Sequence, residues 1–117
     1  MSVYIYGKSP RDSQFYFRLV DNNNKTILAS TEGYQTEQGC LNGIASVKQN
    51  SPYDRSYQKF RGNDLKYYFT IKASNGEPIG RSEGYDSEYG RDRGIENCKQ
   101  EGPRATTRRV DSYSSVS

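Results

Sequence analysis

The chain has 117 residues, the length of one ordinary domain, and its formal net charge is +3. It contains no histidine and two cysteines, Cys40 and Cys98. This excludes a Ser–His or Cys–His catalytic pair and a zinc site made of four thiolates. Eleven tyrosines compensate for few aliphatic residues, so a folded domain with a tyrosine-rich core is expected.

The sequence shows neither an apolar run long enough to span a bilayer nor an N-terminal segment typical of a signal peptide. We therefore expect a cytoplasmic protein with both thiols reduced and no contact with a membrane. No metal-ligand spacing and no phosphate-loop motif occurs, so neither a metal nor a cofactor is expected. A monomer is favoured over a dimer.

Three strands open the predicted order of elements. Alternating side chains, rich in aromatic and branched residues, predict strands in VYIYG at 3–7, FYFRL at 15–19 and TILAS at 26–30. The segment DNNNK between the last two has turn chemistry, and Asn24 is expected there with a positive φ. These two strands therefore form a predicted hairpin.

A helix follows this hairpin. Cys40, Ile44 and Val47 are spaced i, i+4 and i+7, as in the apolar stripe of a helix. Thr36 is placed to cap the N-terminus, and Pro52 is placed to end the helix. Cys40 is therefore interpreted as a small core residue, with a redox role as the weaker alternative.

The same elements then occur a second time. A strand is predicted at 56–60, and YYFTIKASNGEPIGRS at 67–82 matches the segment 15–30. EGYDSEYGRDRGIENCKQEGP at 83–103 matches EGYQTEQGCLNGIASVKQNSP at 32–52. Gly76 takes the place of Asn24 in the turn, and Cys98 takes the place of Val47 on the helix. A last strand is predicted at 105–110.

A unit of three strands and one helix is too small to bury a core alone. Two copies, at about 3–55 and 56–110, therefore predict a single compact domain over residues 1–110. The predicted fold class is α+β, with one antiparallel sheet, both helices on one face and a pseudo-twofold axis. The serine-rich residues 111–117 are predicted to form a flexible tail.

The repeated segments resemble the YegP-like family of small bacterial proteins, which are built on a domain of unknown function. The residues that carry the resemblance are Glu32, Gly33, Tyr34, Gly43 and Ile44, and again Glu83, Gly84, Tyr85, Gly94 and Ile95. It covers about residues 3–110. It implies two units of three strands, a helix and a further strand, which share one sheet and exchange their C-terminal strands. It implies no activity and no catalytic residue.

The repeated glycines and tyrosines are interpreted as parts of the scaffold. Gly43 and Gly94 lie inside helices, where glycine costs about 1 kcal/mol relative to alanine, so close packing is favoured over contact with a ligand. Gly33 and Gly84 are expected in turns with unusual φ. The tyrosine after each is expected to pack where strand and helix meet.

Two carboxylates, Glu32 and Glu83, occur in both copies of the motif. A facing pair could perform acid–base hydrolysis. A structural role at the end of a strand is favoured, and no enzymatic activity is expected.

The helix-free face of the sheet is the predicted binding face. If Phe15, Phe17 and Leu19 point towards the helices, alternate residues point away. Applied to three strands, this rule selects Tyr4, Tyr6, Tyr16, Arg18, Tyr68 and Lys72. The C-terminal arginines Arg104, Arg108 and Arg109 are interpreted as part of a charged edge strand, with an extended basic patch as the alternative.

Aromatic rings interleaved with basic groups are typical of platforms for single-stranded nucleic acid, but they also occur in cross-strand pairs and protein interfaces. The first hypothesis is therefore a non-enzymatic interaction module whose partner, a protein or a single-stranded nucleic acid, is unknown. Weak nucleic-acid binding is the first alternative, and a hydrolase using Glu32 and Glu83 is the second.

Overall fold

A computed structural model describes residues 1–114 of the chain. Seven strands, two helices and a short 3-10 turn at Asp54–Ser56 follow one another along it. The first repeat contains β1 (Val3–Lys8), β2 (Phe15–Val20), β3 (Thr26–Ser30) and α1 (Glu37–Asn50). The second contains β4 (Tyr57–Arg61), β5 (Tyr67–Lys72), β6 (Pro78–Arg81), α2 (Glu88–Glu101) and β7 (Thr106–Val110).

All seven strands form one sheet in the order β4-β5-β6-β3-β2-β1-β7. The repeats meet at its centre, where β3 and β6 pair antiparallel with Ala29 opposite Arg81. A pseudo-twofold axis between these strands relates β4, β5 and β6 to β1, β2 and β3. The predicted α+β fold with one shared sheet is therefore confirmed.

One strand pair departs from the antiparallel sheet expected from the sequence. β7 runs parallel to β1, with Val3 opposite Thr106, so the sheet is mixed. The reason lies at the end of α2, where the Tyr4 hydroxyl donates a 2.7 Å hydrogen bond to the carbonyl of Gly102. The chain thus leaves α2 beside the start of β1, and the next strand runs in the same direction as β1.

One strand crosses between the repeats. β7 follows α2 of the second repeat and pairs with β1 of the first, whereas β4 pairs with β5 of its own repeat. Of the exchange that the family resemblance implies, the structure thus shows the crossing of β7. This arrangement leaves β4 at one edge of the sheet and β7 at the other.

Both helices pack on one face of the sheet and are capped in the same way. The side-chain oxygens of Thr36 and Ser87 accept 3.0 Å hydrogen bonds from the third residue of each helix, which satisfies one free N–H per helix. The core between helices and sheet includes Phe17, Leu19, Leu28, Ile44, Val47, Phe69, Ile71, Ile95 and Cys98. Within residues 1–114, no helix is long and apolar enough to cross a membrane.

The helical glycines make room for tyrosine rings. A Cβ on Gly43 would lie 2.5 Å from the Tyr34 hydroxyl oxygen, and a Cβ on Gly94 would lie 2.4 Å from that of Tyr85. Both distances are far below van der Waals contact. Close packing is therefore confirmed as the reason for these glycines, and both tyrosines lie where strand and helix meet.

The backbone conformations predicted for the hairpin turns are confirmed, whereas those predicted for Gly33 and Gly84 are wrong. Asn24 and Gly76 have φ values of 62° and 87°, as expected. Gly33 and Gly84 are not among the described residues with positive φ, so the unusual turn expected there was wrong. A side chain is excluded at Gly33 for another reason, since its Cβ would collide with the side chain of Gln14.

Candidate functional site

The structure reverses the assignment of faces in β1. Tyr4 lies opposite Leu19 and Tyr6 opposite Phe17, so both tyrosines face the helices. Tyr4 is fully buried, and the Tyr6 hydroxyl donates a 2.8 Å hydrogen bond to a carboxylate oxygen of Glu37 on α1. Their placement on the binding face was wrong, because their rings fill the core while their hydroxyls reach polar groups at the helix ends.

The other four predicted residues lie on the helix-free face, called here the outer face. Tyr16 and Arg18 lie on β2, and Tyr68 and Lys72 lie on β5. One row of paired residues crosses this face with one member from each strand, namely Gln58, Thr70, Arg81, Ala29, Arg18, Ile5 and Arg108. Its three arginines are on every second strand, about 10 Å apart by strand spacing.

The basic side chains of the outer face differ from those of the helix side in their ion pairs. Within residues 1–114, none of Arg18, Lys72, Arg81 and Arg108 forms an ion pair. On the helix side, Arg109 on the same β7 contacts Glu37 at 2.7 Å. In the described part of the chain, the outer face therefore carries four cations without a carboxylate partner.

The half of the outer face formed by β4, β5 and β6, called the open half, contains a stacked pair of rings. The centroids of Phe60 and Tyr68 are 5.2 Å apart, and the ring planes differ by 9°. The guanidinium of Arg81 lies 5.4 Å from the first centroid and 5.3 Å from the second. The Tyr68 hydroxyl donates to the carboxylate of Asp64, and this hydrogen bond lowers the pKa of that carboxyl.

A shallow depression of about 480 Å³ lies beside these rings. Three residues of the row line it, and the middle one is Thr70, a short side chain on β5. The other residues that line it are Thr31, Gln58, Phe60, Lys72, Pro78 and Arg81. Aromatic, cationic and hydrogen-bonding groups therefore surround one open space.

The half formed by β1, β2 and β7, called the covered half, lies under the C-terminal segment. The Tyr113 ring stacks on Tyr16 with centroids 5.7 Å apart, and the Arg18 guanidinium lies 5.2 Å from the Tyr113 centroid. Arg18 also donates to the carbonyl of Ser114. Residues 111–114 of the predicted flexible tail thus lie against the sheet, whereas residues 115–117 lie outside the described residues.

The two halves differ at positions related by the pseudo-twofold axis. Arg18 occupies the place that Thr70 has in the open half, so a long side chain fills the equivalent space. Gly7 pairs with Tyr16 where Phe60 pairs with Tyr68, and glycine has no ring to stack on its partner. In the covered half the stacking ring comes instead from Tyr113.

The two glutamates of the repeated motif do not form a catalytic pair. They follow β3 and β6, which pair antiparallel, so Glu32 and Glu83 lie at opposite ends of these strands. The register puts roughly 15 Å between them, more than the separation used by glycosidase carboxylates. Both residues are exposed.

Neither cysteine has the surroundings of a reactive thiol. Cys40 and Cys98 are both fully buried. Burial raises the pKa of Cys40 to about 12 and that of Cys98 to about 11, so both thiols stay protonated near neutral pH. In the described part of the chain, no group of three His, Cys, Asp or Glu residues could hold a metal ion.

A second and larger space, of about 730 Å³, lies on the helix side between the β2–β3 turn and α2. Lys25 lies 5.8 Å from the Tyr85 ring there, and Tyr89 on α2 is 72% exposed. Among residues 1–114, the buried side-chain atoms without a hydrogen-bond partner are Arg18 Nε and Ser51 Oγ. Neither residue lines this space, so it gives a weaker indication of a site.

Sequence reasoning missed three residues of the outer face. Arg81 lies on the short β6, where a register shift next to Ile71 breaks the simple alternation. Phe60 lies on β4, and the predicted binding face used β1, β2 and β5 only. Alternation along β4 would have placed the Phe60 ring on the outer face. Tyr113 gives no local signal, because its burial depends on Tyr16 and Arg18, far away in the chain.

Comparison with known proteins agrees with this twofold architecture. The model of a family described as a domain of unknown function, DUF1508, matches the chain twice, at residues 11–57 and 63–108. The chain belongs to the DUF1508 family. Each matched segment contains the hairpin and the helix of one repeat, and β1 lies outside both segments.

Members of the family occur in several bacteria. A UPF0339 protein from the 5′ region of the ptx operon of Stutzerimonas stutzeri is 47% identical over 79% of this chain and 82% of its own length. A UPF0339 protein of Bordetella pertussis is 41% identical over 92% of this chain and 96% of its own. Neither name describes an activity.

Solved structures of the family have the same fold. The solution NMR structure of Escherichia coli YegP, a protein of unknown function, superposes with a TM-score of 0.86 at 35% identity, over 97% of this chain and 96% of that chain. A UPF0339 protein from Shewanella oneidensis also gives a TM-score of 0.86, at 37% identity, over 94% of this chain and 92% of that chain. The resemblance to the YegP-like family is thereby confirmed.

Proposed function

We propose that the protein is a monomeric, non-enzymatic binding module that holds single-stranded nucleic acid on the open half of the outer face. The observation that supports this most is the arrangement of Arg81, which lies over both stacked rings and has no ion pair among residues 1–114. Single-strand binders combine aromatic or guanidinium stacking with cations that contact phosphates. The open half offers both kinds of group within one exposed area.

The depression supplies a place for a base. Phe60 and Arg81 present flat groups at its wall, on which a base of any sequence can stack. Thr70 and Gln58 offer hydrogen-bonding groups to the base edge. Lys72 lines the depression together with Arg81, so both cations are near the phosphates of a base bound there. This arrangement favours weak binding with little sequence preference.

Two observations favour a binding role over catalysis. The depression is shallow and contains no histidine, cysteine or carboxylate among its lining residues. The thiols lie in the core, and the repeated glutamates lie at opposite strand ends. The hydroxyls of Thr31 and Thr70 have no histidine or carboxylate beside them in the lining to activate them, which favours holding a ligand over transforming it.

The test is fluorescence anisotropy of a labelled oligothymidylate of about 12 nucleotides, titrated with the full chain at several salt concentrations. Phosphate contacts by Lys72 and Arg81 predict that log affinity falls with log salt with a slope of about −1.4 or steeper. Absence of binding at low salt would refute the proposal. Binding that does not change with salt would point to a different kind of ligand, such as an apolar protein segment.

Matched variants locate the site on the molecule. Arg81→Ala removes the arginine next to two rings in the open half, whereas Arg93→Ala removes one next to Tyr89 on the helix side. The charge change is the same in both. Only Arg81→Ala is expected to weaken binding, by about fivefold to tenfold. Equal losses from the two variants would mean that net charge, rather than this surface, determines affinity.

A further inference from the structure

The covered half contains a buried cation, Arg18, which is 8% exposed. Within the described part of the chain it has no carboxylate partner. Its NH1 group donates to the carbonyl of Ser114, and its Nε atom has no hydrogen-bond acceptor among residues 1–114. Burial of a charge is unfavourable unless an opposite charge is near. The position of Arg18 thus favours an anion that residues 111–114 do not supply.

The segment over this cation is short and largely exposed. The Tyr113 N–H donates a 3.0 Å hydrogen bond to the carbonyl of Lys8, and the Tyr113 ring lies between Tyr16 and Arg18. Asp111, Ser112 and Ser114 are exposed. Exposed segments held by few contacts open at a small fraction of the free energy of global unfolding.

The surface under the segment repeats the design of the open half. Tyr16 is the symmetry equivalent of Tyr68, and each hydroxyl donates to a carboxylate four residues earlier, Asp12 or Asp64. Arg18 continues the row that contains Arg81. The two tyrosines lie on opposite sides of this row, because β2 and β5 run antiparallel, so three strand spacings and four residues along the strands put roughly 19 Å between them. A strand bound at the open half could therefore continue across the sheet.

We propose that Tyr16, Arg18 and Arg108 form a second subsite for single-stranded nucleic acid, which residues 111–114 occupy in the free protein and which a longer strand uncovers. The phosphate of that strand replaces the carbonyl of Ser114 at Arg18, and a base replaces the Tyr113 ring on Tyr16. This inference rests on the proposed function, because the open half must bind the strand first. The C-terminal segment then acts as an internal competitor.

The first test compares strands of about 4 and about 12 nucleotides on the full chain with Tyr113→Ala. This variant removes the competing ring, so it is expected to bind the longer strand at least about threefold more tightly and to steepen the salt slope by about 0.7, one phosphate contact. The shorter strand, held by the open half alone, should bind equally to both proteins. Tyr53→Ala, which changes an exposed tyrosine outside the outer face, is the control.

The gain must depend on Arg18. In the double variant Tyr113→Ala with Arg18→Ala, the tighter binding of the longer strand is expected to disappear. If Tyr113→Ala leaves both strands unaffected, the second subsite is refuted while the open half stands. If neither strand binds the unmodified chain, the proposed function is refuted and this inference with it.

The second test needs no nucleic acid and uses the unmodified protein. Hydrogen exchange is measured at the Tyr113 amide and at the Tyr34 amide, which donates a 2.8 Å hydrogen bond to Phe15 in an isolated bridge of the first repeat. Opening of the segment predicts exchange at Tyr113 at least about 100-fold faster than at Tyr34. Equal rates would mean that the segment opens only with the whole domain, which would overturn the proposal.

Discussion

The open half and the covered half of the outer face share a strand register, a Tyr–Asp hydrogen bond and a row of arginines, yet they differ in what lies over them. In the open half, Thr70 leaves a depression, and the second ring comes from Phe60 within the sheet. In the covered half, Arg18 fills the equivalent space, and the second ring comes from Tyr113 at the end of the chain. A duplicated scaffold can thus keep one copy of a surface accessible while its own chain covers the other.

The largest expected effect comes from making the open half resemble the covered half. Thr70→Arg places at this position the residue found at 18, and the long side chain fills the depression. We expect at least tenfold weaker binding of oligothymidylate, about 1.4 kcal/mol, with little change in thermal stability because Thr70 is partly exposed. Anisotropy titration measures the loss.

Thr70→Arg also adds a positive charge, so it separates the effect of the depression from the effect of net charge. If affinity depended only on net charge, Thr70→Arg would tighten binding. Thr106→Arg, on an exposed position of β7 with the same charge change, is the control and is expected to keep or raise affinity. Tighter binding by both variants would remove the depression from the proposed site.

The next largest effect concerns Phe60, because only in the open half does a strand of the sheet supply the second stacked ring. Phe60→Ala removes the partner stacked on Tyr68 and the ring under Arg81. Loss of one base-stacking group costs about 1 kcal/mol or more, so affinity should fall about fivefold. Tyr89→Ala, which removes a more exposed ring on α2, should leave the titration unchanged.

A smaller effect tests the buried cation of the covered half. Arg18→Met replaces a charge that has no carboxylate partner among residues 1–114 by an apolar side chain of similar length. The free energy of unfolding should therefore stay the same or rise by up to about 1 kcal/mol. Arg91 is equally buried but contacts Glu88 at 3.5 Å and Asp92 at 3.2 Å. Arg91→Met should therefore be destabilising. Urea denaturation of both variants checks the contrast, and a large loss from Arg18→Met would contradict it.

The smallest expected effect concerns a property that should be the same in both halves, the lowered pKa of one aspartate. Hydrogen bonds from Tyr16 and Tyr68 lower the pKa of Asp12 and Asp64 below 3.8. A carboxyl with a depressed pKa contributes stability above its unfolded pKa and loses it as pH falls through the folded pKa. Carboxyl-carbon NMR titration should show both groups below 3.8, and Tyr→Phe at position 16 or 68 should raise the pKa of its own partner alone.

Local features of this fold follow from the sequence, whereas the finished outer face does not. The hairpins, caps and helical stripes depend on neighbouring residues, and repetition made them easy to recognise. In β1, however, Val3 and Ile5 are as apolar as Tyr4 and Tyr6, so alternation alone does not decide which pair faces the helices. That choice depends on polar partners at the helix ends, Glu37 and Gly102, which belong to distant parts of the chain.

The candidate site was predicted only in part for similar reasons. Tyr16, Arg18, Tyr68 and Lys72 do lie on the helix-free face, as alternation predicts, because their strands have one clearly apolar side; their role in binding stays a prediction. Arg81 follows a register shift, and the burial of Tyr113 depends on a packing partner almost a whole chain length away. Such pairings are set by tertiary structure, which a single sequence does not reveal.

The parallel pair of β1 and β7 also constrains how the protein is made. β1, the first strand of this sheet in chain order, pairs with β7, the last, so this edge of the sheet remains incomplete until β7 has been synthesised. The hairpin of β4 and β5, by contrast, can form as soon as both strands have emerged. Pairings between distant parts of a chain form slowly because a long loop must close first. The nascent first repeat therefore has an unpaired edge until β7 emerges, and aggregation is expected to be most likely in that interval.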